Sequence, residues 1–108
     1  MNAEAILALG RDPVSSAAPA GENVRYDESF EQLQAQMDRV GSLAGVPIDW
    51  KQVVDLSSAI LKSKSKDLLV ATYLTLGLFE TEGFKGLAAG LDAYRELVSK
   101  FWEACFPR

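Results

Sequence analysis

Residues 67–83 read DLLVATYLTLGLFETEG. From Asp67 to Thr81 the apolar residues Leu68, Leu69, Val70, Leu74, Leu76, Leu78 and Phe79 do not keep to one stripe but cover most of a helix circumference. A helix that is apolar all round is one that other elements surround, so this stretch predicts the central and most buried helix of an all-α fold. Gly83 suits the left-handed position that ends a helix, and Phe84 then falls where it meets Phe79, a contact that often accompanies such a stop.

Outward toward the C-terminus, Leu87, Leu91, Tyr94, Val98, Phe101 and Cys105 recur at helical spacing on one seam, which Leu97 and Trp102 widen before Pro107 closes the pattern. Gly86 and Gly90 lie one turn apart, a spacing that lets another backbone approach closely. Outward toward the N-terminus, Lys62, Lys64 and Lys66 form a basic cluster that reads as a solvated helix end and turn, where cations meet the helix C-terminal dipole favourably. The preceding helix starts near Trp50: Asp49 offers the capping oxygen, Gln52 has the spacing to reach back, and Ile48 and Val53 occupy the staple positions. Its inward face is Trp50, Val53, Val54, Ile60 and Leu61.

A first main helix follows from Tyr26, Phe30, Leu33, Met37 and Val40 at alternating steps of four and three, with Asp27 or Ser29 as cap and Gly41 placed to end it. No stretch alternates with period two between hairpin signals, so no strand is predicted. The expected architecture is an antiparallel bundle of about four main helices over residues 26–108. Before it, residues 1–25 form an irregular lead with a short helix over Glu4 to Leu9, punctuated by Gly10, Pro13, Pro19 and Gly21. That lead reads either as a surface strap or as a segment that orders on a partner.

Composition bounds what such a bundle does. Its 108 residues fit one domain, and 48% hydrophobic with 24% charged residues is the balance of a globular chain. A net charge of −4 and a pI near 4.7 oppose nucleic-acid binding, which needs a basic stripe. Cys105 is the single cysteine, and no run is long and apolar enough for a membrane span or a leader, so the chain reads as cytoplasmic and not membrane-embedded. With no histidine, the usual general base, zinc ligand and nucleophile partner are missing. Cys105 sits on the apolar seam and reads as a structural thiol, while Glu80, Glu82, Glu28 and Glu31 read as solvated charges. No catalytic, metal or cofactor site is expected.

The order of landmarks resembles the ImpA-type N-terminal domain of the TssA family over nearly the whole chain. It runs from a Pro-rich lead into GENVRYD (21–27, with Tyr26 and Asp27), through Asp49-Trp50 and Lys66-Asp67-Leu68, to GFKGL (83–87), Gly90-Leu91, and Trp102 followed by Pro107. Leu69 stands where the family often has an arginine, so no polar role is carried to that position. The resemblance implies a non-catalytic assembly domain of a bacterial type VI secretion protein, acting with baseplate, tail-tube or sheath proteins and belonging to a longer, homo-oligomerising chain. It implies structural roles for the matched residues: Asp49 as cap, Gly83 as stop, and Trp50, Leu91 and Trp102 as core. The alternatives are a small carboxylate- or lysine-dependent enzyme, or a helical adaptor outside type VI secretion. The expected contact surfaces are the Lys62, Lys64 and Lys66 turn and the lead before Tyr26, neither of which is expected to matter much to folding.

Overall fold

The computed structural model describes residues 2–39 and 47–107. Within them run α1 (Ala3–Arg11), α2 (Glu28–Met37), α3 (Trp50–Ser63) and α4 (Leu68–Phe101), with no strand beyond two isolated bridges. The all-α expectation holds. Val40 and Gly41, expected to extend and end the first main helix, lie outside the described residues.

Local chemistry explains where the helices begin. Asp27 accepts from the Ser29 amide, Asp49 from the Gln52 amide, and Asp67 from the Leu69 and Val70 amides, so three carboxylates cap three helices. At α3 the reciprocal partner is not Gln52. The Asp49 amide donates to Oε1 of Gln36, whose Nε2 in turn donates to Gln52 Oε1 at 2.6 Å. A side chain from α2 thus completes the cap of α3 and fixes the two helices to each other.

The long α4 is two arms. Gly83, at φ 68° and ψ −148°, breaks it into 68–82 and 84–101, and the arms fold back on each other. This backbone lies outside the left-handed helical well expected of a cap; it belongs to a region that essentially only glycine occupies. The expected Phe79–Phe84 contact forms, with ring centroids 5.6 Å apart. Gly90 lets the arms close: a Cβ there would stand 2.9 Å from the Cα of Thr75.

The core gathers Leu33 from α2, Val53, Ile60 and Leu61 from α3, and Val70, Leu74, Leu78 and Leu97 from both arms of α4, all essentially without solvent contact. Five residues expected inside are instead exposed: Tyr26 at 93%, Trp102 at 69%, Leu91 at 53%, Leu76 at 37% and Phe79 at 36%, so the 67–81 stretch is not covered all round as its composition predicts. Tyr26 precedes the cap residue Asp27, so it lies before the helix whose face it was assigned to. Leu91 and Trp102 follow the seam's spacing, but among the described residues no element buries them. Trp50 is half-buried against the core, and Cys105 is buried, which pushes its thiol pKa up and fits a structural role.

The division at residue 25 does not coincide with a gap in packing. α1 lies on α4, Ile6 is buried, and the Gly10 position abuts the backbone of Ala93.

Candidate interaction surface

The lysine turn is where structure and sequence part. Lys66 is 1% exposed. Its ammonium donates to the carbonyl of Leu9 at 2.5 Å and to that of Leu61 at 2.8 Å, and it stands 5.6 Å from the ring centre of Phe101. Leu9 is in the last turn of α1 and Leu61 in the last turn of α3. Two helix C-termini, each with unsatisfied carbonyls and negative dipole ends, therefore converge on one cation. Burial pushes the Lys66 pKa down to about 8, partly opposed by the charge of Asp12.

Lys64 is half-buried, pairing with Asp27 at 2.9 Å and donating to Ser29 Oγ at 3.0 Å; its hydrogen bond holds the Asp27 carboxyl below its ordinary range. Of the three lysines only Lys62 is exposed. The expectation of a solvated basic contact surface at Lys62, Lys64 and Lys66 is therefore corrected: two of the three ammonium groups are occupied inside the fold. A lysine-dependent reaction at position 66 meets the same obstacle, because its nitrogen is held by two carbonyls.

Around these lysines the backbone forms a junction. The Lys66 amide donates to Ala20, the Glu22 amide to Lys64, the Phe106 amide to Lys66 and the Leu68 amide to Phe106, at 2.7–2.9 Å. The lead, the α3–α4 connection and the C-terminal tail are stitched side by side there. Beside it, the buried Asp67 carboxylate receives both Nε and Nη2 of Arg25 at 3.1 Å, a bidentate fork. The Asp27, Asp49 and Asp67 motif positions thus act through caps and pairs, and those at Gly83, Gly86 and Gly90 through backbone geometry. Sequence reasoning had no signal for the Arg25–Asp67 pair, whose members lie 42 residues apart.

The surface with the chemistry of a contact lies on α4. Leu76, Phe79, Phe84 and Leu91 are exposed, Phe84 at 79%. Between the arms, Thr72, Leu76 and Phe79 face Leu87, Leu91 and Tyr94 across an open, almost wholly apolar groove of about 420 Å³. Single exposed apolar residues are ordinary, and what sets Leu76, Phe79 and Leu91 apart among the described residues is that they border one groove. Among the described residues no cluster of carboxylate and thiol ligands suits a metal ion, and no helix is long and apolar enough to cross a membrane.

Comparison with known proteins places this architecture. Residues 11–108 match the family described as ImpA, N-terminal, type VI secretion system. The type VI secretion system component TssA1 of Pseudomonas aeruginosa is 36% identical over 101 residues, covering 87% of this chain and 29% of that protein. A solved structure of the N-terminal domain, including the conserved ImpA_N region, of the TssA component from Burkholderia cenocepacia superposes with a TM-score of 0.81. The identity is 29%, and the match covers 98% of this chain and 39% of that one. The chain thus spans about a third of the length of these relatives, and it belongs to the ImpA N-terminal family of type VI secretion TssA proteins.

Proposed function

We propose that this chain is a non-catalytic docking domain of a longer, oligomeric TssA-like protein, acting in the cytoplasm during type VI assembly. It holds a baseplate, tube or sheath protein through the apolar face of the α4 arms. The observation that carries this reading is the row Leu76, Phe79, Phe84 and Leu91, which among the described residues remains between about a third and four-fifths exposed while Leu74 and Leu78 of the same helix are buried. Covering such a row removes apolar surface from solvent, worth about 25 cal/mol per Å² before the costs of association, and aromatic anchors commonly dominate interface energetics. Family membership supports the choice of partner class.

The test is the paired substitution Leu76→Asp and Leu91→Asp in the longer protein, titrated against purified baseplate, tube and sheath proteins. Both side chains are exposed, so helicity is retained. At least one partner is expected to lose about tenfold or more in affinity. Unchanged affinity for every partner would remove the α4 face from consideration.

A further inference from the structure

The open face of α4 constrains what can cover it. The arm 68–82 lays Thr72, Leu76 and Phe79 along the groove, and the arm 84–101 lays Leu87, Leu91 and Tyr94. Each set falls at i, i+4 and i+7, so each is a single helical stripe, about 10 Å long at 1.5 Å per residue. The arms run antiparallel and close on each other where Gly90 meets Thr75. Two neighbouring helices that turn stripes of this spacing toward solvent form the seat of a third, whose side chains drop between them.

The polar chemistry of the groove selects among occupants. Both walls are helix interiors, whose amides and carbonyls bond within their own arm. The Thr72 and Thr75 hydroxyls donate to the carbonyls of Leu68 and Ala71, each at 2.9 Å. Of the lining side chains, only Tyr94 carries a hydroxyl with no hydrogen-bond partner among the described residues. An extended segment would bury a row of backbone donors and acceptors here with one phenol to meet them, and each group left unpaired is penalised. A helix arrives with its backbone already bonded and offers the groove side chains alone.

Charge at the rims orients such a helix. Glu80 lies one turn beyond Leu76 on the first arm, and Arg95 one turn beyond Leu91 on the second. Both are exposed, and among the described residues neither enters a hydrogen bond or ion pair. Because the arms are antiparallel, the acid stands near the Gly83 tip on one rim and the base toward the far end on the other.

We propose that the groove between the arms seats an amphipathic helix of a partner protein, at least two turns long. Its apolar residues at i, i+4 and i+7 pack on Leu76, Phe79 and Leu91, with a base beside Glu80 and an acid beside Arg95. The proposal rests on the docking reading above and specifies what docks.

The test uses the longer protein with p-benzoylphenylalanine placed in turn at positions 76 and 91, irradiated with each purified baseplate, tube and sheath protein. Both positions are expected to cross-link one partner segment, at sites three, four or seven residues apart. A proline introduced in the middle of that segment should lower affinity at least tenfold, because it breaks a helix. Glu80→Lys or Arg95→Glu should each lower it about threefold, and less as salt rises. Cross-links two residues apart, a proline without effect, or affinity unchanged by both charge reversals would overturn this seating and leave the docking reading in place. Absence of cross-links from both positions with every protein would overturn the two together.

Discussion

At the scale of the residue, Lys66 carries the most unusual chemistry. A lysine in a run of lysines and serines is ordinarily solvated, yet this one is enclosed because two helix ends supply carbonyls that water would otherwise satisfy. Its folded pKa of about 8 lies below the ordinary 10.5, so the unfolded chain holds more protons between those values. Stability should therefore rise with pH from about 8 to about 10.5, by at most roughly 3 kcal/mol, and be lost again as pH falls back through 8. Denaturant titrations of the wild type and Lys66→Met across that window isolate the effect from other titrating groups. The stability difference between them should grow with pH, and a flat difference would mean that the ammonium is not penalised by burial. Nothing adjacent in sequence distinguishes Lys66 from Lys62, because its acceptors come from α1 and α3. Asp49 is the opposite case: its partner is three residues away, and cap and spacing were legible directly.

At the scale of the element, the sequence marks the arms of α4 and the turn between them, but not which faces stay open. Leu74 and Leu91 both follow helical seams, yet Leu74 is 1% exposed and Leu91 53%. Leu74→Ala should cost about 2–5 kcal/mol through lost burial and a cavity, whereas Leu91→Ala should cost less than about 1 kcal/mol. Chemical denaturation of both variants checks this, and equal losses would place Leu91 inside. Periodicity reports that a face is apolar and is silent on whether this chain or another covers it, which is why Leu91 and Trp102 were misplaced while Val53, Ile60 and Leu78 were not. Gly83 gives a backbone prediction. A Cβ there meets nothing within 4 Å, so Gly83→Ala tests conformation alone and should cost about 1–3 kcal/mol. A neutral Gly83→Ala variant in thermal unfolding would show that the turn relaxes to another conformation.

At the scale of the whole molecule, the lead is part of the fold. It contributes Ile6, Ala20 and Val24 to the core, the Leu9 carbonyl to Lys66, and Arg25 to Asp67. Deleting residues 1–21 would strip the Lys66 ammonium of one of its two acceptors and uncover α4. The truncated chain is expected to lose most of its stability rather than leave an intact bundle, because a buried charge without its partners is strongly destabilising. A circular dichroism melt decides it, and an unshifted cooperative transition would show the lead to be dispensable. This junction was hidden from sequence because it joins segments from both ends of the chain through single hydrogen bonds rather than through a periodic pattern. Among the described residues the α4 groove stays open, and the proposed docking depends on that exposure. The most direct test is hydrogen exchange of the longer protein, alone and saturated with the type VI partner that binds it. Slowed exchange is expected within residues 72–94 of α4, with residues 64–68 and 106 already slow and unchanged. Protection elsewhere with α4 unaffected would contradict it.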